Sequence, residues 1–383
     1  VTRVLIAPDK FKGSLTAEQV ARALRSGIAY QAPDWTTSIC PIADGGDGTV
    51  AALVAHGWQQ VRATARDALG HPRVVGYARL DDTVVIEQAA TVGLGQLPVA
   101  GRDPMGASSF GMGELIAHAL SQARVSTVVL ALGGSASTDG GAGLLQALGA
   151  RVLDRHGCEV AQGGAALATL HRIDLEPLDQ LIGDTRFLVA RDVDNPLLGP
   201  DGAVRVFAHQ KGADLGQQQV LEAGLQHWSR VLGERRPSAP EAVNAPGAGA
   251  GGGVGYAAIA ALGAETCRGV DWLLDIIAFD DHVEQADLIV TGEGNLDTQT
   301  LFGKAPTGVT KAAAARGVPV VAVAGRCMLT EQQTRAAGFD RVYALTDIEP
   351  DLDRCMTHGA ALLQEVAATI VEDTRMRVQA DVR

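Results

Sequence analysis

The stretch from Asp287 to Asp297 reads Asp-Leu-Ile-Val-Thr-Gly-Glu-Gly-Asn-Leu-Asp and sets two carboxylates among glycines directly after an apolar run, Leu288 to Val290. The run is expected to stop at Gly292 and to leave Glu293 and Asp297 in a loop. Open α/β sheets present ligand-binding groups in this way, at the carboxyl end of a buried parallel strand. Lys304 follows in Gly-Lys-Ala-Pro-Thr-Gly. Acids and a lysine in one glycine-rich segment suit the handling of phosphate and a divalent cation.

Other strand ends carry the same residue types. Lys10, Lys12 and Ser14 follow a first apolar run, Val4 to Ala7, and suit a carboxylate or phosphate. Asp44 and Asp47 in Asp-Gly-Gly-Asp-Gly offer oxygens to a metal, although Asp-Gly pairs also make ordinary turns. Gly133 to Gly143 follows the β-branched run Thr127 to Leu132 and opens a helix. Its small residues let a phosphate approach the backbone, Ser135, Ser137 and Thr138 add hydroxyls, and Asp139 offers a carboxylate to magnesium. A flexible turn is the plain alternative. Asp192, Asp194 and Asn195 form a carboxylate–amide cluster that suits magnesium, which takes one or two carboxylates and keeps several waters. Arg191 beside them serves a ligand or a structural ion pair. Lys211 in Gln-Lys-Gly is a point cation for a phosphoryl oxygen or a turn residue.

Several chemistries are excluded. Gly303-Lys304 is followed by Ala305, so no Walker A loop is present. Gly247-x-Gly249-x-x-Gly252 follows Pro-Glu-Ala-Val-Asn-Ala-Pro rather than a strand, so it is no dinucleotide fingerprint, while an anion-binding turn before a helix from Tyr256 to Leu262 remains open. No H-E-x-x-H or Gly-x-Ser-x-Gly occurs. Strand ends rich in Asp, Glu, Lys, Asn and Gly fit phosphoryl transfer, which needs positioning, cations and one base.

The elements that must position these loops read as strand–loop–helix units at both ends of the chain. Thr16 is expected to cap a helix with Gln19 as reciprocal partner. Strands are expected over Ser38 to Ala43, Arg62 to Asp67, Arg73 to Leu80, Thr83 to Ile86, Arg186 to Ala190, Val204 to Ala208, Val318 to Ala324 and Val342 to Leu345. A polar connection is expected from Gly233 to Pro246. Two α/β domains follow: residues 1–62 and 278–383 joined into one, with residues 63–277 inserted as a second that carries a mixed sheet.

The 383 residues are 46% hydrophobic and 20% charged, enough for sizeable cores, and only 4% aromatic. The formal net charge of −12 argues against nucleic acid as a partner, because phosphate backbones need a basic face. Five scattered cysteines with no C-x-x-C favour a reducing, cytoplasmic setting. The one long uncharged stretch, Asn244 to Ala264, is glycine-dense and reads as a loop entering a helix rather than a membrane span.

Taken together, these segments resemble the type I glycerate kinase family. The matching strings are residues 7–15, Ala-Pro-Asp-Lys-Phe-Lys-Gly-Ser-Leu; 43–49, Ala-Asp-Gly-Gly-Asp-Gly-Thr; 133–141, Gly-Gly-Ser-Ala-Ser-Thr-Asp-Gly-Gly; 192–197, Asp-Val-Asp-Asn-Pro-Leu; 210–213, Gln-Lys-Gly-Ala; 246–253, Pro-Gly-Ala-Gly-Ala-Gly-Gly-Gly; and 291–297, Thr-Gly-Glu-Gly-Asn-Leu-Asp. The resemblance implies magnesium- and ATP-dependent phosphorylation of D-glycerate to 2-phosphoglycerate by a monomer or homodimer. It also implies a flavodoxin-like sheet built from both chain ends, an inserted domain resembling a restriction-endonuclease core, and an active site between them. Expected roles follow. Asp297 or Asp192 takes the hydroxyl proton, and Lys12 and Lys211 neutralise charge. Gly133, Gly134, Ser135, Ser137, Asp139, Gly251, Gly252 and Lys304 hold ATP. Lys10, Ser14, Arg191 and Asn195 meet glycerate, while Asp44, Glu293 and Asp192 face the metal. The family usually has arginine where this chain has Asn295, and Arg191 is the expected substitute cation. An organic-acid sensor and a magnesium-dependent phosphatase are the competing readings.

Overall fold

The computed structural model describes residues 2–301 and 303–381, without the side chains of 378–381. The described residues form thirteen strands: β1 Arg3–Pro8, β2 Thr36–Ile39, β3 Gln59–Arg66, β4 Pro72–Leu80, β5 Thr83–Glu87, β6 Thr127–Leu132, β7 Arg151–Leu153, β8 Arg172–Asp174, β9 Arg186–Arg191, β10 Glu265–Arg268, β11 Leu288–Leu296, β12 Val320–Cys327 and β13 Arg341–Ala344. The chain divides into two compact units, Val1–Asp44 with Val270–Arg383, and Gly45–Gly269. It enters the second unit at Gly45 and leaves at Gly269, against the expected 63 and 277.

In the first unit five strands form one sheet in the order β13-β12-β11-β1-β2. Every pairing is parallel. Counted within the unit this is the flavodoxin-type order 2-1-3-4-5, whose ligands sit beyond the carboxyl ends of the strands. β1 is buried from Val4 to Pro8 without alternation. That pattern marks a parallel strand covered on both faces. The helix Ala17–Gln31 carries the expected capping box, Thr16 with Gln19. It crosses the helix Gly359–Asp381 at Gly27, where a Cβ would come within 2.6 Å of Ala367 Cβ. Val20, Leu24, Ile28, Leu363, Val366 and Ile370 fill this core.

The second unit holds a six-stranded sheet, β10-β9-β6-β5-β4-β3. β5, β6, β9 and β10 are parallel, whereas β3 and β4 are antiparallel neighbours. The inward alternation of Ala63 and Ala65 on β3 fits a strand covered on one face. The core is packed around Leu130, Leu144, Leu225 and Trp228.

Three expectations are corrected. β11 does not stop at Gly292 but runs to Leu296, because β12 pairs alongside it as far as Leu296↔Cys327. Gly292 is required by close packing rather than by a turn: a Cβ there would lie 2.0 Å from Val323 O. Val204 to Ala208 lies on a helix, Ala203–Phe207, and not on a strand. Burial at Ala203, Val204 and Ala208 follows helical spacing, which a short apolar run does not reveal. The connection from Gly233 to Pro246 follows a long helix, Leu215–Gly233, and itself contains the short helix Ala239–Ala242. No helix among the described residues is long and apolar enough to cross a membrane.

Candidate functional site

Each unit gathers chemistry at the carboxyl ends of its parallel strands. In the first unit Asp9 directly follows β1, β11 carries Glu293 and Asn295, and β12 carries Arg326. Asp9 is 5% exposed and Glu293 6%. Burial pushes the Asp9 carboxyl up to about 7, with Asp44 and Glu293 adding repulsion and Lys10 opposing it. Burial likewise raises Glu293, opposed by Lys304 and by a hydrogen bond from Thr300. Asp9, Asp44 and Glu293 therefore form one electrostatic neighbourhood.

The cations are partly engaged. Lys10 Nζ lies 3.6 Å from Asp9 Oδ1 and Lys304 Nζ 3.5 Å from Glu293 Oε2. Lys12 is exposed, and a Cβ on Gly294 would lie 3.1 Å from its backbone nitrogen. Thr300 ties the acids together: its hydroxyl donates to Glu293 Oε1 and accepts from Asp297 N at 3.1 Å. Asp297 is half-buried. Its Oδ2 accepts from Asn295 Nδ2 at 2.7 Å, and its Oδ1 from Gln299 N at 2.8 Å at the start of the next helix. Ser14 stands apart, because its hydroxyl donates to Met356 O at 2.5 Å.

In the second unit the loop after β6 is braced from within. Asp139 is 1% exposed. Its Oδ2 accepts from Ser109 N at 2.7 Å, Ser109 Oγ at 2.8 Å, Ser108 Oγ at 3.3 Å and Gly143 N at 3.3 Å, and its Oδ1 from Gly141 N at 3.1 Å. A carboxylate so occupied shapes the loop. Gln88, at the end of β5, donates through Nε2 to Ser135 Oγ at 3.0 Å and to Gly251 O at 2.9 Å, and so clamps two glycine-rich loops. Ser135 and Ser137 share a hydroxyl–hydroxyl hydrogen bond of 3.0 Å.

Lys211 lies beneath this junction, 3% exposed, and donates to Ser137 O. Burial lowers its pKa to about 8, against the pull of Asp139. Gly251, Gly252 and Gly253 all adopt left-handed φ, at 64°, 73° and 93°. The helix proper therefore begins only after them, where successive amides suit an anion. Gly252 admits no side chain, since a Cβ would come within 2.0 Å of Ser137 O and 2.9 Å of Lys211 Nζ. Gly252→Ala is expected to lower stability by about 1–2 kcal/mol through the left-handed backbone alone, before the clash. Urea denaturation would measure it, and an unchanged midpoint would show that the turn relaxes.

Gly133 and Gly134 sit at the carboxyl end of β6. A Cβ on Gly133 would lie 3.2 Å from Asp192 Oδ2, which places that exposed acid beside the loop. Arg191 is ion-paired with Asp194, its Nε is buried without a partner, and burial lowers its pKa. Asn195 donates to Asp201 O at 2.9 Å, a turn contact.

Four residues of these neighbourhoods escaped sequence reading. Asp9 was visible only as part of a string. Gln88, Thr300 and Arg326 carried no local signal. Arg326 is the cation beside Asn295, in register across β11 and β12, whereas the expected substitute, Arg191, belongs to the second unit.

Comparison with known proteins agrees with this architecture. The family model described as Glycerate kinase family matches residues 4–375. The chain is 38% identical over 377 residues to the glycerate kinase of Bacillus subtilis, covering 98% of each sequence. It is 37% identical to the glycerate 2-kinase of Escherichia coli, covering 90% of each. A crystal structure of a glycerate kinase 2 from Salmonella typhimurium LT2 superposes with a TM-score of 0.79 at 36% identity, over 98% of this chain and 100% of that one. With matches of this length to sequence and fold alike, the chain belongs to the glycerate kinase family.

Proposed function

We propose that this protein transfers the terminal phosphoryl group of ATP to the 2-hydroxyl of D-glycerate. The observation that carries the reading is the division of labour between strand ends. A buried lysine under left-handed glycines in one unit suits a phosphate, and buried acids beside a half-buried carboxylate in the other suit a cation and a proton. The Escherichia coli relative named glycerate 2-kinase supports the regiochemistry.

Gly133, Gly134, Ser135, Ser137, Gly251 and Gly252 cradle the triphosphate, and Lys211 offsets charge on the moving group. Asp139 braces that cradle from behind. Asp297 takes the proton of the 2-hydroxyl, whose oxygen forms the new bond to the terminal phosphorus while the bond to the bridging oxygen breaks and ADP leaves. Lys12 and Lys304 add positive charge at the strand ends. The donor set fits a hard divalent cation, because burial alone leaves Asp9 and Glu293 strained as anions. Asp44, Glu293 and Asp192 are the acids offered to magnesium, which when bound neutralises triphosphate charge.

A coupled assay tests the reading. ADP release that requires both D-glycerate and magnesium is expected, with phosphorus NMR showing 2-phosphoglycerate. Binding without turnover would instead favour an organic-acid sensor, and phosphate release from phosphoglycerate without nucleotide a phosphatase.

A further inference from the structure

Arg326 lies near the carboxyl end of β12, opposite Asn295 of β11. Its Nε donates to Asn295 Oδ1 at 3.3 Å, and Asn295 Nδ2 donates to Asp297 Oδ2 at 2.7 Å. One amide side chain therefore links a guanidinium to the carboxylate that takes the hydroxyl proton in the reading above. Arg326 is exposed and has no ion pair among the described residues. Its Nη2 meets only the thioether of Met328 at 3.3 Å, a weak acceptor. The guanidinium is thus oriented through Nε while its outer edge keeps donors for a ligand.

We propose that Arg326, held by Asn295, binds the carboxylate of the 2-hydroxy acid substrate. The proposal rests on the kinase reading and deepens it. A planar guanidinium matches a carboxylate through two parallel hydrogen bonds, which an ammonium cannot do. Lys10 and Lys304 already lie against Asp9 and Glu293. In a 2-hydroxy acid the carboxylate and the reacting hydroxyl stand on adjacent carbons. A cation and a base joined by a single asparagine side chain suit that spacing, and would favour the 2-hydroxyl over one a carbon further away.

The full-length chain carrying Arg326→Ala or Arg326→Lys tests this, because an exposed side chain can be changed without emptying a core. D-glycerate, the neutral D-glyceramide and ATP are each varied in steady-state assays. For Arg326→Ala the KM for D-glycerate should rise about 10- to 100-fold, as loss of a charge-assisted pair predicts. The KM for ATP should stay within about twofold, as expected when the uncharged part of the site is untouched. The preference for D-glycerate over D-glyceramide should fall by the same factor as the affinity, and Arg326→Lys should recover only part of it. An unchanged KM for D-glycerate, an equal loss on D-glyceramide, or a loss confined to ATP would each overturn the assignment. Absence of turnover in the unsubstituted chain would overturn the kinase reading itself and is seen before any variant is made.

Discussion

Lys211→Met is expected to reduce kcat/KM by about 10³-fold, or ~4 kcal/mol of transition-state stabilisation. The fold should survive. Methionine keeps the length and apolar body of the side chain and removes a cation that burial disfavours, while Ser137 O loses its Lys211 donor and keeps the longer contact from Ser135 Oγ at 3.5 Å. Asp139 is not stranded by the change, because serine hydroxyls and backbone amides already satisfy its oxygens. The two effects oppose each other, so thermal unfolding should show a midpoint within a few degrees of the unsubstituted chain beside the kinetic loss. Turnover within a few-fold of the unsubstituted chain would remove Lys211 from the machinery. A large fall in the midpoint would make it a structural post instead.

The same lysine sets a pH signature. Burial brings its pKa from 10.5 down to about 8. If the ammonium offsets charge on the moving phosphoryl group, turnover should decline as pH rises through about 8. The stability effect has the opposite sign. Between about pH 8 and 10.5 the unfolded chain binds the proton that the folded chain has released. Stability relative to Lys211→Met should therefore rise with pH across that window. Kinetic and unfolding profiles measured on the two proteins would separate these trends.

Asp297→Asn is expected to lower kcat by about 10²- to 10⁴-fold, the usual contribution of a positioned base. The KM for D-glycerate should rise by no more than a few-fold: the shape is kept, but the amide that accepts from Gln299 N cannot also accept from Asn295 Nδ2, which holds Arg326. Asparagine can still accept from Gln299 N, so the start of the following helix is preserved. Thr300 continues to tie this segment to Glu293 through its own hydroxyl. Near-normal turnover would exclude Asp297 as the base and turn attention to Asp192. A rise in KM with kcat intact would make Asp297 a binding residue.

Much of the parallel architecture was legible because buried parallel strands are continuous apolar runs. β1 and β6 stand out for that reason, and the Thr16–Gln19 cap is a local pattern with a local cause. The glycines were harder to read. Gly292 and Gly294 look like a turn, yet Gly292 lets β11 press against Val323, while Gly294 leaves room beside the backbone at Phe11 and Lys12. A glycine in a string does not say whether it serves a turn or a close approach. The helix Ala203–Phe207 is hidden for a related reason: five residues are too few to show a period.

The residue types themselves determined that this chain is an α/β protein whose strand ends carry acids, lysines and glycines suited to phosphate chemistry. Their order along the chain determined the family resemblance. Only tertiary structure decided which of those groups meet. It buried Asp139 among serine hydroxyls and backbone amides, set Lys211 under Gly252, drew Asp9 and Asp44 toward Glu293, and laid Arg326 beside Asn295. Burial, strand register and charge proximity depend on segments tens to hundreds of residues apart, from 30 for Ser109 and Asp139 to 284 for Asp9 and Glu293. No local pattern encodes the dielectric surroundings or the neighbour across a sheet, and those two properties separate a bracing acid from one that can take a proton.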